Sequence, residues 1–220
     1  MRNIQEYKTI VFDCDGVLLN SNKIKVQAYY DVAKCMGGSD AQAQAFVDYH
    51  IAQGSFPRNG KIKYYLKHIV QQKETTALMQ QYLNAFDQIL AESLMQCELA
   101  IGLLELKTHT KNARWMVLSG GDQMGLRQIF ERRDLTQYFE CGIFGGPDIK
   151  EKVLDREKSN GNIQFPALFV GDSKYDHQAS TGAGLDFVFL SDWTEVKDWQ
   201  TYCRNNDITV RSSILKLLSL

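Results

Sequence analysis

Residues 9–18 read Thr-Ile-Val-Phe-Asp-Cys-Asp-Gly-Val-Leu, a short apolar run that ends in two aspartates and a glycine. A continuous run of this kind is typical of a strand in a parallel sheet that is covered on both faces. Ligands collect at the carboxyl ends of such strands, where Asp13 and Asp15 would stand. Two adjacent carboxylates repel each other unless a cation or a shared proton lies between them. The stretch therefore predicts a functional acidic pair, although aspartates also occur in ordinary turns and helix caps.

Four more short apolar runs resemble the first and predict further strands. They are residues 115–118, 142–144, 167–170 and 187–190. Between the first and second runs the pattern is almost entirely helical, with apolar residues at the spacing of one helix face. This order predicts an α/β fold, in which a Rossmann-like parallel-sheet core of three layers (α/β/α) is interrupted after its first strand by an inserted helical cap domain. We predict residues 1–19 and 98–220 for the core and residues 20–97 for the cap.

The overall composition limits the classes of partner. The formal net charge of −1 over 220 residues argues against a broad basic surface for nucleic acid. No apolar run approaches the roughly 18–20 residues that span a bilayer, and the polar N-terminal residues lack the apolar stretch of a secretory signal. The five cysteines are an odd number without CxxC spacing, which favours reduced thiols. We therefore expect a cytoplasmic protein that binds neither nucleic acid nor membrane, and the sequence leaves its oligomeric state open.

Three later turns, each after a separate predicted strand, carry further polar groups. Asp172 and Asp176 follow one strand, Ser119 and Gly120 another, and Lys150 a third. With the first acidic pair, the later carboxylates give an all-oxygen site of the kind that Mg²⁺ prefers. Asp176 would bind such an ion directly or through a water, or would only occupy the first turn of a helix. A hydroxyl, exposed backbone N–H groups and a lysine are groups that can bind a phosphate. All four turns follow strands of a parallel sheet, so we expect them to meet at one edge of that sheet.

In these motifs the chain resembles the haloacid dehalogenase-like hydrolase superfamily, over essentially its whole length. Residues 13–17, Asp-Cys-Asp-Gly-Val, match the first motif of the family, and Ser119-Gly120 match the second. Lys150 matches the third motif, and residues 171–176 match the fourth. The helical insertion between the first and second motifs is similar to the type 1 cap, which phosphoglycolate phosphatases and β-phosphoglucomutases share.

The resemblance implies a Mg²⁺-dependent phosphatase that acts on a small phosphorylated metabolite. Asp13 would attack phosphorus and form an aspartyl-phosphate, while Asp15 would protonate the leaving oxygen and later deprotonate the hydrolytic water. Mg²⁺ would be held by Asp13, the backbone carbonyl of Asp15, Asp172 and Asp176. The residues that would hold the phosphoryl oxygens are Ser119, Gly120 and Lys150.

Asp15, the acidic residue two positions after the proposed nucleophile, narrows the type of reaction that the resemblance implies. An aspartate there fits phosphatases and phosphomutases, whereas the dehalogenase and phosphonatase branches of the family carry other residues. A phosphomutase of the β-phosphoglucomutase type is one alternative, because it uses the same groups but shields the aspartyl-phosphate from water. A non-catalytic regulator on the same scaffold is another, against which the intact acidic and lysine motifs argue.

Residues 54–61, Gly-Ser-Phe-Pro-Arg-Asn-Gly-Lys, form a turn between predicted cap helices. The segment resembles the specificity loop of type 1 caps, which closes over the leaving group of the substrate. We expect Arg58 and Lys61 to contact an anionic or polyhydroxyl leaving group. The alternative is a solvated basic turn.

Two details of the motifs concern the hinge of the insertion and the identity of the active-site lysine. The family often has Asp-Ser after its first motif, where this chain has Asn20-Ser21, so the hinge or cap contacts are expected to differ. Lys152 also lies near the third motif. Lys150 is preferred as the active-site lysine because it follows Pro147 by three residues, as in similar relatives.

Overall fold

The computed structural model describes residues 1–54 and 56–220, and its centre is one six-stranded parallel sheet with strand order β3-β2-β1-β4-β5-β6. The strands are β1 (Thr9–Phe12), β2 (Arg114–Asp122), β3 (Ile143–Gly146), β4 (Ala167–Gly171), β5 (Asp186–Leu190) and β6 (Thr209–Arg211). The five strands that the apolar runs predict are confirmed. The sixth was not predicted, because it has three half-buried residues and no continuous apolar run.

Helices surround the sheet and fill the long interval between β1 and β2. The α-helices are α1 (Asn22–Cys35), α2 (Asp40–Gln53), α3 (Arg58–Tyr64), α4 (Thr76–Gln96), α5 (Leu103–His109), α6 (Gln123–Arg132), α7 (Lys150–Ser159), α8 (Lys174–Gly182) and α9 (Trp199–Asn205). A π-helical turn, Tyr65–Ile69, continues α3, and 3-10 turns lie at Ile4–Glu6, Thr136–Tyr138 and Ile214–Ser219. Among the described helices, none is both long and apolar enough to cross a membrane.

The core has the three layers that the sequence predicts. Side chains of β1 alternate between two buried clusters, with Ile10 and Phe12 on one face of the sheet and Val11 on the other. The first cluster includes apolar residues of α5 and α6, and the second includes residues of α7, α8 and α9. Because both faces are covered, the strands are continuous apolar runs rather than alternating ones.

The first four of the five α-helices between β1 and β2, α1 to α4, have a hydrophobic core of their own. Its largest fully buried side chains are Phe46, Tyr65 and Phe86. Every buried member of this cluster lies between residues 28 and 94. The arrangement agrees with a helical insertion, and the boundaries at residues 20 and 97 stay a prediction.

The two chain segments that connect the insertion to the core run side by side. Leu19 and Leu99 form an antiparallel bridge, and the backbone N–H of Asn20 donates to the carbonyl of Glu98 at 2.9 Å. The Asn20 side-chain amide also donates to the Glu98 carboxylate at 3.0 Å. An aspartate at position 20 would place a like charge against Glu98. The asparagine that departs from the family pattern therefore suits the residue it faces in this hinge.

Candidate active site

The candidate site lies at the carboxyl ends of β1 and β4, which are neighbours in the sheet. The strand order diverges on either side of this pair, and such a switch point is where α/β sheets bind ligands. The backbone N–H of Asp13 donates to the carbonyl of Val170 at 2.9 Å, which holds the first motif against β4. Asp13, Asp172 and Asp176 are buried, and each offers a carboxylate oxygen within 4.8 Å of the others. Residues far apart in sequence thus form one acidic cluster.

Lys150 is the cation of this cluster. Its Nζ lies 3.0 Å from Oδ1 of Asp13 and 2.5 Å from Oδ1 of Asp176, and its side chain is 1% exposed. Burial alone would lower the pKa of Lys150, but the carboxylates of Asp13 and Asp176 raise it above its usual value. Lys152 is exposed on the same helix. The structure therefore places Lys150, and not Lys152, at the acidic cluster.

Asp176 is held by the start of α8. Its Oδ2 accepts hydrogen bonds from the Ser173 hydroxyl at 2.7 Å and from the backbone N–H groups of Ser173 and Asp172 at 3.1 and 3.2 Å. Ser173 in turn accepts from the Asp176 N–H, which completes a capping box. One carboxylate oxygen thus caps the helix and the other contacts Lys150, so Asp176 fixes the lysine in place.

Asp172 faces the other acids without an ion pair of its own in the described part of the chain. The Asn22 side-chain amide donates to Asp172 Oδ2 at 2.7 Å and to the Trp193 carbonyl at 2.8 Å. Burial, with the charges of Asp176 and Asp13, raises the pKa of Asp172 well above its ordinary range, although Asn22 and Lys150 oppose the shift. This carboxylate would be stabilised as an anion by a cation placed beside it.

Asp15 is bound by three donors at the base of the insertion. The Ser21 hydroxyl donates to Oδ1 at 2.6 Å, while Lys25 and the Ser119 hydroxyl, the latter at 3.2 Å, contact Oδ2. Burial raises the pKa of Asp15, but the Lys25 ammonium and these hydrogen bonds together lower it below its usual value. Ser119 is further oriented by the backbone N–H of Gly121, which donates to its hydroxyl at 3.0 Å.

Asn22 and Lys25 are site residues that the sequence analysis missed. Both belong to the first turns of α1, and neither residue type is unusual on a helix surface. One signal was available: Lys25 follows Ser21 by four residues, so the two side chains share a helix face directly after the first motif. The partner of Asn22 is 150 residues away and could not be read from spacing.

A cavity of about 70 Å³ lies between the acidic cluster and the helical insertion. Gly120 lines it from β2, and Arg58 and Lys61 line it from α3. Both cations are buried rather than solvated. A larger cavity of about 410 Å³, between α4 and α6, also has Asp15 and Arg58 in its lining. Ser55, in the predicted specificity loop, lies outside the described residues.

The two cations on α3 differ in their partners. A guanidinium nitrogen of Arg58 lies 3.0 Å from the Asp87 carboxylate, and its guanidinium carbon lies 4.9 Å from the centre of the Phe86 ring. Lys61 Nζ contacts the Gly54 carbonyl and lies 2.9 Å from Nδ1 of His50. The structure thus brings both predicted cap residues to the cavity. Arg58 has an acidic partner there, whereas Lys61 contacts a backbone carbonyl and an imidazole among the described residues.

The fold and the acidic cluster define a Rossmann-like α/β enzyme with a helical insertion after its first strand. The chain belongs to the haloacid dehalogenase-like hydrolase family, whose sequence profile matches residues 10–190. None of the curated proteins compared with the chain matches it significantly.

Solved structures with the same fold cover nearly the whole chain at low sequence identity. A predicted phosphoglycolate phosphatase from Haemophilus somnus is 19% identical with a TM-score of 0.72, over 97% of each chain. A proposed β-phosphoglucomutase from Bacteroides vulgatus is 16% identical with a TM-score of 0.73, over 98% of this chain and 87% of that one. CbbY from Rhodobacter sphaeroides, solved in complex with phosphate, is 16% identical with a TM-score of 0.72, over 97% of this chain and 100% of that one.

Proposed function

We propose that this chain is a Mg²⁺-dependent phosphatase that hydrolyses a small phosphorylated metabolite through an aspartyl-phosphate on Asp13. One observation supports this most strongly: Asp13, Asp172, Asp176 and Lys150 converge at a single sheet edge. The similar structures named as a phosphoglycolate phosphatase and a β-phosphoglucomutase, together with the phosphate-bound one, agree with phosphate-ester chemistry.

Asp13 is the nucleophile in this proposal. One of its carboxylate oxygens attacks phosphorus, the bond from phosphorus to the leaving oxygen breaks, and Asp15 gives that oxygen a proton. Asp15 then takes a proton from a water that attacks the same phosphorus, and the bond to Asp13 breaks to release inorganic phosphate. The pairing with Lys25 favours the carboxylate form of Asp15, which is the form that the second step needs. Ser119, the Gly120 N–H and Lys150 would hold the phosphoryl oxygens.

The acidic cluster fits Mg²⁺ as a cofactor. Its donors are all oxygen, and Mg²⁺ needs only one or two protein carboxylates because it keeps waters and binds substrate phosphate. Asp13, Asp172 and the Asp15 carbonyl would hold the ion, with Asp176 bound directly or through a water. When bound, Mg²⁺ would neutralise the negative charge that opposes attack on a phosphate ester.

Metal-dependent stability tests the role of Asp172. Saturating Mg²⁺ should raise the thermal midpoint of the wild-type protein, because a ligand at 100 times its Kd stabilises by about 2.7 kcal/mol. In Asp172→Asn we expect this increase to be lost, while the metal-free variant is at least as stable as the metal-free wild type, since one of three clustered carboxylates is neutralised. Thermal melts with Mg²⁺ and with EDTA measure both effects. An undiminished Mg²⁺ shift in the variant would exclude Asp172 as a ligand.

Gly16 should tolerate no side chain, because it packs against Asp172. A Cβ there would lie 2.1 Å from Asp172 Oδ2 and 2.3 Å from the Asn22 amide nitrogen. Gly16→Ala should therefore displace the carboxylate and lower kcat/KM by about 10²-fold, as small misplacements in active sites do. Gly161→Ala is the matched control, because its φ of +72° is close to the +74° of Gly16 but nothing lies within 4 Å. Equal losses of activity in the two variants would contradict the argument.

Phosphate release from a panel of phosphorylated metabolites tests the proposed function. We expect Mg²⁺-dependent release that EDTA abolishes and that Asp13→Asn lacks, with a phosphoryl group recovered on the peptide containing Asp13 after acid quench. Isomerised sugar phosphates without free phosphate would instead identify a phosphomutase. No turnover of any ester with Mg²⁺ would favour a non-catalytic role.

A further inference from the structure

Asn22 connects three separate parts of the molecule through one amide group. It is the first residue of α1, the helix with which the insertion begins. Its side-chain nitrogen donates to Oδ2 of Asp172, directly after β4, at 2.7 Å, and to the backbone carbonyl of Trp193, after β5, at 2.8 Å. A side-chain amide nitrogen has two N–H donors, and these two hydrogen bonds use both of them. The orientation of the Asn22 amide is therefore fixed.

The segment after β5 is itself bound to Asp172. The hydroxyl of Thr194 donates to the backbone carbonyl of Asp172 at 2.6 Å, and the N–H of Val196 donates to the Thr194 hydroxyl at 3.1 Å. Trp193, the residue before this threonine, is the second acceptor of Asn22. Asp172 is thus held at its main chain by Thr194 and at its carboxylate by Asn22.

The hydrogen bond between Asn22 and Asp172 involves only one of the two carboxylate oxygens. In the described part of the chain, no other side chain has a recorded hydrogen bond to this carboxylate, and Oδ1 has no recorded donor. The backbone of Gly16 packs against the same bond, because a Cβ at that position would overlap both Oδ2 and the Asn22 nitrogen. Asn22 and Gly16 therefore fix Oδ2 and leave Oδ1 as an acceptor for a cation.

A neutral donor orients a metal ligand without cancelling its charge. A lysine or arginine in place of Asn22 would put a positive charge against Asp172 and oppose the binding of a divalent ion. Lys150, in contrast, lies against Asp13 and Asp176. Asp172 is thus the member of the acidic cluster that the protein orients through an uncharged group.

We propose that Asn22 is a positioning residue for the metal ligand Asp172, and that it couples the binding of Mg²⁺ to the docking of α1 on the core. The proposal rests on the proposed Mg²⁺ site and adds a residue of the insertion to it. A hydrogen-bond partner that holds a ligand in its binding orientation raises the affinity for the metal. Because such coupling is reciprocal, Mg²⁺ in turn stabilises the docked position of α1.

The affinity for Mg²⁺ tests the first part of the proposal. Isothermal titration calorimetry on the wild type and on Asn22→Ala, without substrate, should give a Kd for Mg²⁺ that is about 10- to 100-fold higher in the variant, the usual loss for an outer partner of a metal ligand. Lys23→Ala is the matched control, because Lys23 is the next residue of α1 and is exposed, so its Kd should equal that of the wild type. If Asn22 contributes to stability alone, Asn22→Ala will unfold more easily in EDTA and will bind Mg²⁺ with the wild-type Kd, which would overturn the proposal.

Hydrogen exchange tests the coupling to the insertion. Mg²⁺ should slow the exchange of the backbone amides at residues 25–28, in the first turns of α1, and this effect should be smaller in Asn22→Ala than in the wild type or in Lys23→Ala. Exchange at these residues that Mg²⁺ leaves unchanged in the wild type would overturn the coupling. A wild-type protein that binds no Mg²⁺ in the calorimeter would instead overturn the proposed Mg²⁺ site, and the role of Asn22 with it, so the two failures are distinguishable.

Discussion

Asp13→Asn should lower kcat/KM for phosphate esters by a factor on the order of 10⁴ or more, because loss of a covalent nucleophile removes the reaction path itself. The variant should stay folded. The asparagine oxygen can still accept from the Cys14 N–H, which donates to Asp13 Oδ1 at 2.7 Å, and Lys150 keeps its contact with Asp176. Steady-state kinetics with Mg²⁺, alongside thermal unfolding, separates lost chemistry from lost structure.

Asp155→Asn is the control for this experiment. Asp155 is exposed on α7, pairs with Lys158 one turn along the helix and is not part of the acidic cluster, so the Asp155→Asn variant should have the activity of the wild type. Residual activity of Asp13→Asn within tenfold of the wild type would mean that another group attacks phosphorus, or that water attacks directly.

Lys150→Met should have the second-largest effect, on both stability and activity. Without Lys150, the buried carboxylates of Asp13 and Asp176 lose the cation between them. Breaking a buried ion pair by removing one partner costs about 3–5 kcal/mol, and removing a preorganised donor from a reacting oxyanion lowers kcat by about 10²–10³-fold. Urea unfolding in EDTA measures the first effect. Added Mg²⁺ should return part of the lost stability, because it neutralises the same acidic cluster.

Lys152→Met is the matched control for Lys150→Met. Lys152 lies two residues further along α7 and is exposed, so its substitution should change the free energy of unfolding by no more than about 0.5 kcal/mol. Equal effects at the two positions would contradict the assignment of Lys150.

The sheet was predictable because each buried strand has a continuous apolar run and is followed by a polar turn. β1 and β4 are the clearest cases, since their turns carry Asp13 and Asp172. The strand Thr209–Arg211 escaped prediction because an edge strand of three half-buried residues needs no apolar run. Helix lengths were less predictable than their existence. The helical pattern between the first two strands does not show where each helix ends, and α4 continues to Gln96 because its last turn packs through Leu94.

The candidate site was predictable where it follows strand ends and not where it depends on the insertion. Lys150 could be placed near Asp13 because both follow parallel strands. Lys25 could have been found from its spacing after Ser21, but Asn22 contacts Asp172 only because α1 packs near the end of β4, and His50 contacts Lys61 only because α2 packs beside α3. Such contacts depend on how one helical unit sits on another, which residue spacing does not encode.

A crystal structure with Mg²⁺ and beryllium fluoride, a mimic of a carboxylate-bound phosphoryl group, tests the central claim most directly. The account predicts beryllium bonded to a carboxylate oxygen of Asp13, with Mg²⁺ against Asp172 and fluorides near Ser119 and Lys150. Beryllium fluoride on a different carboxylate, or Mg²⁺ bound away from Asp172, would contradict it.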